Sequence, residues 1–90
     1  MLDEKIHEGR VMGVHYDSIS GITYTCSEDK SIKVIERGKV IQVLQNSNSG
    51  LTTMIGDKEF KRLFVANRSG NVFIYDISSP IPNLLNVLST

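Results

Sequence analysis

The 90-residue chain has one cysteine, Cys26, two prolines and no tryptophan. A lone thiol cannot close an internal disulfide, and with only His7 and His15 to join it, the sequence argues against a zinc cage. Neither sign of charge is in excess, because ten Lys+Arg balance ten Asp+Glu. Polyanion binders usually carry a basic surplus, so nucleic acid and anionic membrane are demoted as partners of the whole chain. No run approaches the ~20 consecutive apolar residues of a membrane helix. The start MLDEKIHEGR is charged, unlike a secretion signal. These absences lead to the expectation of a soluble segment from a reducing, cytoplasmic compartment.

Apolar residues do not recur at helical spacing. Short runs rich in Val, Ile, Thr, Tyr and Phe alternate with clusters of Gly, Ser, Asn and Asp. The pattern predicts strands at 10–16, 21–27, 31–36 and 39–45, then at 50–55, 61–67, 71–76 and 83–89. Turn signals such as DSIS, SEDKS, ERGK, NSNSG and RSGN lie between them. This describes an antiparallel four-strand meander written twice.

Sliding the chain by 40 positions exposes the repeat. Val11 falls on Leu51, Val14 on Met54, Tyr24 on Phe64 and Cys26 on Ala66, while Ile32, Val34 and Glu36 fall on Val72, Ile74 and Asp76. Between residues 2–36 and 42–76 only Asp17 and Asp57 coincide as letters, so the echo is one of residue class and turn position. The expected units are 1–46 and 47–90.

Four short strands per ~40–45 residues is the period of a propeller blade. The first unit resembles a WD repeat. His7, followed by Val11, Val14 and Tyr16, is similar to that family's turn and inner strand, with Ile6-His7 in place of Gly-His. The run from Thr25 to Val34 (TCSEDKSIKV) resembles its Ser-x-Asp-Lys-x-Ile-Lys-Val core. The Trp-Asp pair is replaced by Ile35-Glu36 and by Tyr75-Asp76. IHEGRVMGVHY, CSEDKSI and FVANRSGNVFIYD are also similar to the propeller of the WD-repeat and FYVE-domain proteins, whose zinc-binding module recognises an endosomal phosphoinositide. The cysteine pairs of that module do not occur here, so an endosomal association is implied only indirectly and no lipid-binding role carries over.

His7, Asp29 and a hydroxyl from Thr25 or Ser27 are the ingredients of a hydrolase triad. The resemblance implies another role: His7, Thr25 and Asp29 would form a structural hydrogen-bonded chain that Ile35 leaves one member short. In the second unit Ser47, Val65, Ser69 and Tyr75 occupy those places, and the chain is expected to be missing there. No nucleophile elbow surrounds Ser27, and Gly9, Gly13 and Gly21 lack the Lys-Ser/Thr of a phosphate loop. Asn67-Arg68-Ser69 spells a glycosylation acceptor but reads as a turn. Lys30, Lys33, Arg37 and Lys39 read as edge-protecting charges, with a contact patch for an acidic partner as the alternative. Phosphoinositide-binding propellers are the alternative reading. They carry a Phe/Leu-Arg-Arg-Gly motif, whose nearest counterpart here is Phe60-Lys61-Arg62-Leu63, without the glycine.

Runs such as Val40–Leu44 and Leu63–Ala66 lack clean polar alternation, as strands covered on both faces do. Four strands ~4.8 Å apart and five or six residues long give a face of roughly 350 Å². Covering one such face is worth about 9 kcal/mol before entropy. Two stacked sheets leave two faces bare. The sequence is therefore expected to be all-β: two four-stranded blades of a larger, seven-bladed WD-type propeller, completed by further blades of a longer chain or by other copies. No catalytic residue, metal or cofactor is expected. Function falls to a protein or peptide bound on loops, with Glu8, Arg10, Glu28, Lys30, Arg68 and Asn71 as the candidate contacts.

Overall fold

The computed structural model describes residues 6–89. It contains eight strands and, among the described residues, no helix: β1 (Val11–Asp17), β2 (Ile22–Ser27), β3 (Ile32–Glu36), β4 (Lys39–Leu44), β5 (Leu51–Asp57), β6 (Arg62–Asn67), β7 (Val72–Asp76) and β8 (Asn83–Leu88). They form two antiparallel sheets, β1-β2-β3-β4 and β5-β6-β7-β8, each in sequence order. All eight predicted strands are present, with ends shifted by two residues at most. The expected break between Asn46 and Ser47 falls in the β4–β5 connection.

The 40-residue echo extends to individual cross-strand partners. Gly13 pairs with Cys26 as Thr53 pairs with Ala66, and Tyr24 with Val34 as Phe64 with Ile74. Bulges recur at Val11/Gly13 and Leu51/Thr53, and again at Val34/Ile35 and Ile74/Tyr75. The matched Asp17 and Asp57 share one job: Asp17 Oδ1 accepts from the Ile19 N–H, and Asp57 Oδ1 from the Glu59 N–H, both at 3.0 Å. Each aspartate thereby closes the turn after its inner strand through an Asx-type bond. The third turn breaks the match. Arg37 and Gly38, both at positive φ (52° and 78°), make a two-residue hairpin, whereas residues 77–82, with Pro80 and Pro82, make a longer loop.

Left-handed backbone also recurs at matched places. Gly21 (φ 76°) corresponds to Lys61 (φ 54°), and Lys30 (φ 77°) to Gly70 (φ 89°). A side chain in that region costs roughly 1–2 kcal/mol, partly offset by glycine's extra unfolded-state entropy. Lys61→Gly is therefore expected to raise stability by about 0.5–1 kcal/mol, read as a higher midpoint in urea.

The sheets stack through the first strand of each, with β5 also touching β2. Strand alternation and register show which faces meet. From the first sheet come Ile22, Tyr24, Cys26, Ile32 and Val34; from the second come Leu51, Met54, Leu63, Val65, Phe73 and Tyr75. Gly13 lies close on Met54, and the His15 ring fills the space that a Cβ on Gly56 would need. The expectation of strands covered on both faces is met on one face for Leu63–Ala66 and on neither for Val40–Leu44, where no residue is buried. Leu63 and Val65 are fully buried, while Val14 and Ile55, on the outward faces, are 61% and 65% exposed. Strand β8 is exposed throughout.

Candidate functional site

At the end of the stack where β1 begins, the first sheet has a hydrogen-bonded hub. Asp29 lies in the β2–β3 turn, which the Ser27 hydroxyl holds by accepting from the Asp29 N–H at 3.0 Å. Its Oδ1 accepts from the Ser31 N–H at 2.9 Å and from the Ser31 hydroxyl. Its Oδ2 accepts from the Glu8 N–H and from His7 Nδ1, each at 3.0 Å. The Nδ1–H tautomer this implies leaves His7 Nε2 free to accept from the Thr25 hydroxyl, 2.6 Å away. The structure thus brings His7, Thr25 and Asp29 together in one chain, with Ser31 as a further member.

Burial pushes the Asp29 carboxyl up, but bonds from Ser31, His7 and the Glu8 N–H outweigh it and hold the group far below the usual carboxylate range. His7 is 3% exposed and Thr25 is 7% exposed. Ile35, in place of the expected indole, pairs with Thr23 one step along the sheet.

The second sheet has its own hub at the equivalent place, built from different residues. Asn67 occupies the position that Ser27 holds in the first sheet. Its Oδ1 accepts from the Ser69 and Asn71 N–H groups, and its Nδ2 donates to Ser47 Oγ at 3.0 Å and to Asn71 Oδ1 at 3.2 Å. Ser69 Oγ bonds Ser49 Oγ at 3.0 Å, and Tyr75 Oη donates to Asn46 Oδ1 at 2.8 Å. A carboxamide carries a donor and an acceptor, so one Asn gathers bonds that the first sheet divides between an acid and an imidazole. Sequence reasoning passed over Asn67, Ser31 and Asn46, for it sought charged or ring-bearing partners. The signal available was the run Asn46-Ser47-Asn48-Ser49, which lies 40 positions after Ile6–Gly9.

The candidate loop residues converge on this same end. Arg10 faces Glu28 at 3.6 Å, and the Glu28 N–H donates to Arg10 O. The Arg68 N–H donates to Gly50 O, while a Cβ on Gly50 would lie 3.1 Å from Glu28 O and 3.4 Å from Arg68 Cδ. Turns 28–30 and 68–70 therefore flank the entry to β5 as one mixed-charge rim. Glu8, Arg10, Glu28, Lys30 and Arg68 are exposed there. Asn71 differs, since it is half-buried and its side chain turns inward to Asn67.

The opposite end opens a cleft of about 320 Å³ between the sheets, with Asp17, Ile19, Tyr24, Lys61 and Ile77 in its wall. Burial and the nearby Asp17 carboxylate raise the Tyr24 phenol. Phe60-Lys61-Arg62-Leu63 does not form a single surface, because Phe60 is exposed, Lys61 lines this cleft and Leu63 is buried. Cys26 is a buried thiol, pushed up to about 11 by its apolar surroundings. Among the described residues no group of three or more His, Cys, Asp and Glu is placed to hold a metal ion, and no helix is long and apolar enough to cross a membrane.

No family model and no curated protein matches the chain. The function must therefore be argued from its geometry.

Proposed function

We propose that the two sheets are consecutive blades of a WD-type propeller, seven-bladed when complete, and that the chain is a non-catalytic platform binding a protein or peptide through its mixed-charge rim. The observation that carries this reading is the recurrence, 40 residues apart, of the same registers, bulges and left-handed turns in two sheets stacked face upon face. Repetition of one supersecondary unit, each covering its neighbour, is the organising device of propellers and solenoids.

The hub fits a structural role better than a catalytic one. Asp29, His7 and Thr25 have the donor order of a hydrolase triad. Thr25, however, is buried, leaving no open side for a substrate carbonyl. The rim instead offers a rigid scaffold under exposed charges, where binding residues commonly lie. A cytoplasmic location, with any endosomal contact made through a partner, accompanies this reading.

The test is selection from a displayed peptide library against the 90-residue chain. A binder is expected whose affinity falls at least about tenfold on Lys30→Glu or Arg68→Glu, a loss of ~1.4 kcal/mol or more. Ile19→Glu, at the far end, should leave it unchanged. Binders indifferent to both rim reversals, or ester hydrolysis abolished by Asp29→Asn without loss of stability, would overturn the proposal.

A further inference from the structure

The two sheets do not meet through the same face. The first contributes the face bearing Tyr24, Cys26 and Val34, the second the face bearing Leu63, Val65 and Tyr75. Shifting by 40, the outward face of the second sheet bears Phe64, Ala66 and Ile74, the counterparts of what the first sheet buries. The outward face of the first sheet bears Val14, Thr23, Thr25 and Ile35, the counterparts of Met54, Leu63, Val65 and Tyr75. The internal interface is heterologous, and the molecule presents the same two kinds of surface, unused, on its outer sides. A heterologous contact can repeat, and it closes into a ring when the rotation permits.

From this we infer that a second copy of this chain covers the open faces, the outward face of one copy's second sheet stacking on the outward face of the next copy's first sheet. The inference rests on the blade reading and is independent of what binds the rim. Register predicts the pairs. Because Met54 packs on Gly13 and His15 on Gly56 inside the chain, Val14 of one copy is placed against Thr53 of the other, and Tyr16 against Ile55. Val14, Tyr16 and Ile55 are 61%, 55% and 65% exposed in the single chain, so these are apolar groups without cover. Lys33 takes the place of Phe73, with its ammonium donating to Ile6 O and its stem left as apolar contact.

Area decides between an open pair and a closed ring. With ~350 Å² per face from strand spacing and length, a single contact buries roughly 700 Å² in total, below what specific association needs. In a ring every copy uses both faces, about 700 Å² per chain, close to the ~800 Å² per partner of a standard interface. Two, three or four copies would supply four, six or eight sheets, within the range that propellers use, and such a ring takes the place of the seven-bladed one, since copies of two sheets cannot add up to seven.

The experiment is complementation between face variants of the 90-residue chain, read by light scattering. Wild type is expected at two, three or four times 10.0 kDa. V14E/V43E charges the outward face of the first sheet, and I55E/L88E that of the second; all four side chains are more than two-fifths exposed, so both variants keep their fold. Each alone should run as a single chain. Mixed one to one, they share a single intact contact, so a heterodimer of twice 10.0 kDa is expected only well above the concentration at which wild type is fully assembled, where each variant alone still runs as a single chain. Variants that still dimerise alone would show like-on-like contact and overturn the inference. A wild type that remains a single chain would overturn it too, leaving the blade reading to the rim-binding test.

Discussion

Asp29→Ala is expected to lower stability by about 3 kcal/mol, one of the two largest losses foreseen for a single side chain here. The carboxylate accepts from four donors, supplied by His7, Glu8 and Ser31, in a turn that joins β2 to β3. Its removal leaves His7 Nδ1 at 3% exposure without its anionic acceptor, and Ser31, at 2% exposure, without a partner for its N–H. A buried polar group stranded in this way costs ~1–3 kcal/mol. Asp29→Asn keeps an acceptor but brings an extra donor, and should lose about 1–3 kcal/mol.

Acid supplies a second measurement of the same network. The folded-state pKa of Asp29 is depressed, so its contribution is complete above the unfolded value, near ~3.9, and is lost as pH falls below that toward the folded value. The gap in melting temperature between wild type and Asp29→Ala should therefore be constant from pH 7 to 5 and shrink below pH 4. A gap that stayed the same at pH 3 would show that the carboxylate charge is not what holds the turn.

Leu63→Ala is the other large effect, expected to cost about 3 kcal/mol, within the ~2–5 usual for a fully buried leucine. Its counterpart forty positions earlier, Thr23, faces outward on the first sheet, and Thr23→Ala should cost less than about 1 kcal/mol. The two residues hold the same place in the repeat, but one is a leucine with a neighbouring sheet over it and the other a threonine without one. Urea denaturation of both variants in the dissociated protein measures that difference. Equal losses would mean that the observed stacking is not the source of the chain's stability.

Much of the fold was legible because the local signals agree. β-branched runs mark the strands, Asp17 and Asp57 mark the inner turns, and Arg37-Gly38 marks the tight hairpin. The members of the first hub were named through the resemblance of His7 and the TCSEDKSIKV run to a WD repeat, and the hydrogen bonds linking His7, Thr25 and Asp29 are present. The second hub was not legible, because Ser47, Asn67 and Asn71 are ordinary turn residues until the backbone aims them at one another.

Sequence alone determined the strands, their order, the 40-residue period and the turns, all of which depend on neighbours along the chain. Tertiary structure alone decided which side of each sheet is covered. Leu63-Phe64-Val65-Ala66 could bury either face, since apolar groups point both ways and transfer from water has no direction. Contact with one neighbour buried Leu63 and Val65 and left Phe64 and Ala66 half-open, a choice made by what lies beside the strand in space.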